Sequence, residues 1–390
     1  MNVKKRLLSW SFAGICFSQI LYTPPVGAFV GLCCTKCGGN MPMNIPGGGV
    51  PETYEFRFKI SPMFMRMEDL RDGTNDVSTS SILGVPATGV FMAAPTSMDM
   101  TMLNFTAGYS FTDDFFAGLM MMWKKNEMDM SFNTAMQTLT GQSGFTMKSE
   151  GMGDTMLMTK YRLFADDPLI PTSQGSLFLG LSLPTGSINE KNKSHPLPIR
   201  QQEQLPYGMQ LGSGTFDPTI GFLYQGSSSP HWWGVNAMYT PRLYENSRDY
   251  RLGDELRFDL YDMYQFRYDL VSQVQLNISH QGKIRGEMDA AVSGASGHAA
   301  QGNAGSPYMT PLWDPDNYGG DKILATVGLQ WQPASMHIID VNLGIPLYQD
   351  LNGPQLKEDY RLMFTWYMEI PTKSSIRNRG KTSRESQLGF

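Results

Sequence analysis

Apolar and polar residues alternate along most of this chain. Twelve such runs can be delimited: residues 54–67, 98–111, 115–130, 145–164, 176–184, 215–224, 232–244, 256–268, 271–284, 322–332, 337–348 and 360–370. A period of two sends successive side chains to opposite faces, so each run predicts a β-strand with two unlike faces. In the last run Tyr360, Leu362, Phe364, Trp366, Met368 and Ile370 share one face, and Arg361, Met363, Thr365, Tyr367 and Glu369 share the other. In the first, Tyr54, Phe56, Phe58 and Ile60 oppose Glu55, Arg57 and Lys59; in the tenth, Ile323, Ala325, Val327, Leu329 and Trp331 form the apolar row. Beyond the first thirty residues nothing is apolar enough for a membrane helix.

The gaps between runs alternate in length. Residues 112–114, 225–231 and 333–335 make tight links, whereas 68–97, 131–144, 185–214, 245–255, 285–321 and 349–359 are longer. Outer-membrane barrels combine short periplasmic turns, long external loops and an even strand number. The pattern therefore predicts an all-β fold: a single antiparallel transmembrane β-barrel of about twelve strands, with both termini in the periplasm of a Gram-negative bacterium. A soluble sandwich or propeller would not need strands this long or faces this apolar. The organisation expected is a signal peptide over 1–28, a Cys/Met/Gly-rich arm over 29–52, the barrel over 53–370 and a polar, basic tail over 371–390.

Composition agrees. The chain has 390 residues and a formal charge of −5, with 40 Gly, 17 Tyr and 21 Phe for turns and interfacial girdles. Mean hydropathy is slightly negative, as expected when only alternate residues face lipid. The mild acidity argues against a nucleic-acid partner. Lys4, Lys5 and Arg6 precede an apolar stretch over 7–22, and Val26-Gly27-Ala28 offers a cleavage site that would remove Cys16. Cys33, Cys34 and Cys37 then remain, an odd number in an oxidising compartment.

Methionine changes the picture, because its 28 copies are placed unevenly. Strand parity sends Met63, Met65, Met67, Met98, Met100, Met102, Met120, Met122, Met128, Met130, Met152, Met156 and Met158 to the lumen of four consecutive strands. Thioethers are soft ligands that select Cu(I); they are also adaptable fillers and adaptable surfaces for organic solutes. All three readings stay open. The arm adds Cys33, Cys34, Cys37, Met41 and Met43, a soft-ligand set that would suit Cu(I) or, through its thiols, a disulfide. No cofactor is required for the fold.

Charges also fall on the inner face: Arg57, Lys59, Lys124, Lys160, Arg162, Arg242, Arg257, Arg267 and Arg361, with Glu55, Asp154, Asp259, Asp340 and Glu369. Both signs on one wall predict an ion-pair ladder that stiffens the barrel, with a wall that sets ion selectivity as the alternative. Arg242, Glu245, Arg248, Arg251, Asp254 and Glu255 predict a salt-bridged external loop. Enzyme signals are poor: no GxSxG or HExxH is present, and adjacent Ser279 and His280 would face opposite sides of a strand.

Four loop motifs carry a family resemblance. LPTGS at 183–187, MQLGSGTFDPTIGFLY at 209–224, RLYENSRDYRLGDE at 242–255 and GIPLYQDLNGPQL at 344–356 resemble the outer-membrane transporter family named for a putative MetA pathway of phenol degradation. MRMEDLRDGT at 65–74 and MDM at 98–100 resemble a Met-rich branch of it. The resemblance implies a passive outer-membrane channel for small, hydrophobic or aromatic solutes. The alternative reading is a soft-metal protein that binds or passes copper. A third is a barrel blocked by its own arm.

Overall fold

Period-two alternation becomes a closed wall. The computed structural model describes residues 41–50, 52–84, 91–167, 171–288 and 308–379. The signal-peptide expectation, Cys33, Cys34 and Cys37, and the end of the tail lie outside those residues. The strands are β1 Glu55–Gly73, β2 Asn75–Val77, β3 Ala93–Ser110, β4 Phe115–Phe132, β5 Gly144–Met152, β6 Thr155–Ala165, β7 Ser173–Leu183 and β8 Asp217–Ser228. They continue as β9 His231–Thr240, β10 Tyr250–Arg251, β11 Glu255–Arg267, β12 Leu270–Gln281, β13 Arg285–Gly286, β14 Gly320–Ala334 and β15 His337–Pro371.

The ladder runs β15-β14-β12-β11-β9-β8-β7-β6-β4-β3-β1, and β1 pairs antiparallel with β15 to close the ring. Eleven strands thus form the wall, but β15 has 35 residues and would be about 115 Å long if straight. It doubles back at 352–354, where Gly353 has φ 68°. One arm pairs with β14 and the other with β1. The arms meet where Glu369 N donates to Met336 O at 3.0 Å, and where Gln349 and Glu358 exchange two bonds of 2.9 Å. The wall is therefore crossed twelve times, and the runs predicted at 337–348 and 360–370 are the two arms of β15. Among the described residues no helix is long and apolar enough to cross a membrane.

The outer face is apolar around the whole ring. Phe64, Phe105, Met121, Leu157, Leu179, Ile220, Trp233, Val274, Leu329, Ile345 and Trp366 are all exposed. At the end of the barrel that carries the tight turns, rings touch in series: Phe56 with Tyr109, Tyr109 with Phe111, Tyr224 with Trp233 and Tyr264 with Phe266. These rings form an interfacial girdle of the kind that borders a lipid-facing band. At the same end Arg377 from the tail bonds Glu55 at 3.0 Å and Glu369 at 2.5 Å, across the seam between β1 and β15.

One strand departs from the predicted parity. Run 145–164 is two strands, β5 and β6, both paired with β4. Trp123 faces Met152 and Met120 faces Met156, so four steps on one side oppose three on the other. This one-residue bulge flips the inward face of β5 relative to β6. Met152, expected in the lumen, is therefore 48% exposed on the outside, and Met147 is buried inside in its place. Truncating Met147→Ala should lower unfolding stability by about 2–5 kcal/mol, against about 0.5 kcal/mol or less for Met152→Ala, in urea titrations of the refolded barrel.

Candidate functional site in the barrel lumen

The arm occupies the half of the lumen nearest the tight turns. Met41, Met43, Ile45 and Val50 are buried against an apolar belt on the inner wall that includes Phe116, Met158, Phe178, Leu223, Met238, Tyr261 and Tyr367. Residues 41–50 coil tightly: Ile45 N bonds Pro42 O at 3.2 Å and Gly48 N bonds Ile45 O at 3.0 Å. Gly47 and Gly49 make this coil accessible, with φ of 84° and 69°.

Backbone inside a barrel has no ladder to join, so its carbonyls need other donors. Inward cations supply them. Arg57 Nη1 donates to Gly48 O at 2.6 Å and to Gly49 O, while its guanidinium lies 4.2 Å from the Phe116 ring centre. Lys59 Nζ donates to Met43 O at 2.8 Å and Lys160 Nζ to Gly47 O at 3.3 Å. Asn44 and Gln275 exchange two amide bonds of 2.9 Å, and Gln330 reaches Met41 O at 3.4 Å. The expected ion-pair ladder forms only in part: Arg57, Lys59 and Lys160 grip the arm's backbone instead, while Arg242 pairs with Asp217 and Arg257 with Asp259 at 2.9 Å. Arg162 does form an ion pair, with Asp114 at 2.7 Å, and Arg361 pairs with Glu358 at 3.0 Å.

The loop between β7 and β8 enters the other half. Asp154, displaced by the bulge, accepts Gly186 N at 2.9 Å, Ser213 N at 2.8 Å and Ser213 Oγ at 2.9 Å, so it binds both legs of the loop. Lys124 Nζ donates to Leu211 O at 3.1 Å. The loop drives Leu205 and Met209 against the methionine wall, where Met67, Met98, Met128 and Met147 lie in register on four neighbouring strands. Met130 and Met100 join this cluster. Met63 faces Met102 and Met363, Met65 faces Met100, and Met122 faces Asn104. Met120, Met156 and Met158 belong instead to the belt around the arm. The thioethers are therefore split between two clusters, and Met41 and Met43 are packed in the second. Among the described residues no group of three His, Cys, Asp or Glu side chains is placed to hold a metal ion.

A second cap lies further out, where Tyr207, Tyr250, Ile284, Met288 and Trp313 pack together. The expected salt-bridged loop is held by other bonds: Arg242 pairs with Asp217 of β8 and Arg248 bonds Asn189, while within the loop Arg251 bonds the carbonyl of Arg242. Between the loops and Asn44 of the arm a cavity of about 230 Å³ remains, bordered by Arg257, Lys322, Arg361 and Met363 among others. Sequence reasoning passed over Lys322, although its parity with Leu324 and Thr326 marks it as inward. It also missed Asn44, Gln275, Leu205 and Met209, whose roles depend on where the arm and loop dock.

No protein-family model matches the chain, and no curated protein does. Solved structures do. An outer-membrane channel of Pseudomonas putida F1 superposes with a TM-score of 0.50 at 13% identity, covering 83% of this chain and 97% of that one. The P. putida toluene transporter TodX gives 0.40 at 10% identity, over 82% and 91%. A FadL homologue of Pseudomonas aeruginosa gives 0.40 at 9% identity, over 88% and 99%. The first of these shows that the fold is that of an outer-membrane β-barrel. The narrower likeness to the MetA-pathway family rests on the loop motifs alone.

The inserted loop carries a titratable group of its own. His195 is buried with ring centres 4.7 Å from Phe145 and 5.9 Å from Phe132, and its Nδ1 accepts Leu197 N at 3.1 Å. Burial, then the neighbouring Arg200, pushes its pKa from 6.5 down to about 4. The docked loop thus binds fewer protons than the released loop between those values. Its stability is complete above pH 6.5 and falls as the pH drops toward 4. Glu203, raised by burial and paired with Arg200 at 3.3 Å, titrates in the opposite sense. A nitroxide at exposed position 199 should gain mobility between pH 6.5 and 4, and His195→Phe should remove that change.

Proposed function

We propose that the chain is an outer-membrane channel that passively admits small hydrophobic or aromatic solutes and is held closed by residues 41–50. In this reading the loop end faces the exterior and both termini lie in the periplasm. One observation carries it: the arm lays four apolar side chains on an apolar inner belt. A water-filled porin has a polar lumen. A belt of Phe, Met, Leu and Tyr that needs an apolar occupant suits a hydrophobic solute once the arm leaves. The likeness in fold to a P. putida outer-membrane channel supports the general role, and the loop motifs support kinship with the MetA-pathway transporters.

The energetics favour a displaceable closure. Burying Met41, Met43, Ile45 and Val50 contributes about 6–12 kcal/mol at full burial. The bonds to Arg57, Lys59, Lys160, Gln275 and Gln330 contribute about 0.5–1.5 kcal/mol each. Ordering ten residues of backbone costs about 10–20 kcal/mol. The two sides offset to within a few kcal/mol, so a solute that competes for the belt can shift the balance.

A soft-metal reading draws on the in-register row Met67, Met98, Met128 and Met147. Those side chains already pack under Leu205 and Met209, which ranks this reading second.

Two measurements test the proposal. In planar bilayers the full chain should conduct weakly, and a variant lacking residues 41–50 should open several-fold larger steps. Cells with an intact lipopolysaccharide layer should take up labelled benzyl alcohol faster with either form than with an empty vector. Equal uptake in all three would reject the channel. Stoichiometric Cu(I) binding that disappears in the triple variant Cys33→Ser, Cys34→Ser, Cys37→Ser would favour the metal reading instead.

A further inference from the structure

The cavity above the arm is not apolar like the belt below it. Its wall holds a row in which Arg257 of β11 pairs with Ser279 of β12, and Ser279 pairs with Lys322 of β14. All three border the cavity. Residues in one such row point to the same face, with about 10 Å between the outer two backbones. A guanidinium, a hydroxyl and an ammonium therefore stand abreast, with long side chains on either side of a short one.

The charges around this row are arranged with a direction. Arg257 gives its Nε to Asp259 at 3.0 and 2.9 Å, leaving its two terminal amino groups to the cavity side. Arg361 gives Nε and Nη2 to Glu358 at 3.0 Å each and keeps Nη1. The Asp259 and Glu358 side chains are completely buried, so the arginines stand between these carboxylates and the cavity. Among the described residues neither a hydrogen bond nor an ion pair holds the Lys322 ammonium. One carboxylate, Glu255, borders the cavity, a pair nearer the loops and opposite Gln281. Three cations and one anion thus line a small space, with Asp259 and Glu358 balancing the two arginines from behind and Lys322 left without a bonded carboxylate.

The remaining wall limits what fits. Leu324 and Met363 give it an apolar side, and Asn44 of the arm forms part of its floor. At about 230 Å³ it is smaller than the roughly 300 Å³ at which drug-sized pockets begin, so it suits one ring or a short branched chain. The geometry points to a binding site for small organic monocarboxylates, with the carboxylate bridging Arg257, Ser279 and Lys322 and the apolar part against Leu324 and Met363. Charge-assisted hydrogen bonds of this kind are the strong ones, and their loss leaves a desolvated anion without a partner. This site rests on the channel reading in that it lies on the route to the arm. It adds the chemical class of solute that pauses there.

Benzoate and its uncharged analogue benzyl alcohol test the site, using the full chain in detergent and isothermal titration. Benzoate should bind saturably and benzyl alcohol at least about tenfold more weakly. Lys322→Met should weaken benzoate about tenfold or more and leave benzyl alcohol unchanged. Lys322→Arg, which keeps the charge and the fold, should restore benzoate to within about threefold. Equal binding of the two probes, absence of saturable benzoate binding, or indifference to Lys322→Met would each overturn the proposal. The uptake assay keeps the two ideas apart. Cells that take up benzyl alcohol through a protein without benzoate preference reject the site and keep the channel. Lysine-dependent benzoate binding by a protein that transports nothing rejects the channel and keeps the site.

Discussion

The interior of this barrel is organised by the need of inserted backbone for hydrogen-bond donors. A wall strand satisfies its carbonyls in the ladder, but a segment lying inside the ring has no such partner. Arg57, Lys59 and Lys160 meet that need for residues 41–50, and Lys124 meets it for the loop at Leu211. Asp154 does the converse, accepting backbone amides from both legs of the same loop. Each of these groups would be costly to bury alone. The inserted segments and the inward charges therefore stabilise one another.

Much of the wall was legible in the sequence because it follows from local alternation. The outward rows of β1, β14 and β15 are those the pattern assigns. The turn-and-loop rhythm also gave the right number of crossings, even though the last two runs form one doubled strand. The bulge between Met152 and Thr155 was not legible. It depends on one extra residue across from β4, and no composition signal marks it beyond Gly151 and Gly153. Its effect on the candidate site was specific: Met152 left the lumen and Met147 entered it.

The lumen was less legible than the wall, for a different physical reason. Parity says that Arg57 and Lys59 point inward, but not that residues 41–50 fold back to meet them. The contact spans few residues in sequence, yet its geometry exists only inside a closed ring. The same holds for Leu205 and Met209, which read as loop residues until the methionine row gives them a surface. Methionine suits both places, since its unbranched side chain adapts to irregular partners. A single residue type thus lines a contact with a loop at one level and with the arm at another.

The seam between β1 and β15 sets an order on assembly. Every other neighbouring pair in the ring is linked by a nearby stretch of chain, whereas Glu55 meets Pro371 only after nearly the whole polypeptide has been laid down. Pairing over such separations comes late, because the loop to be closed is long. Arg57 on one lip of that seam and Tyr367 on the other both hold the arm. The stopper thus reaches its full set of holds only when the cask itself is hooped, and Arg377, bridging Glu55 and Glu369, is the last rivet.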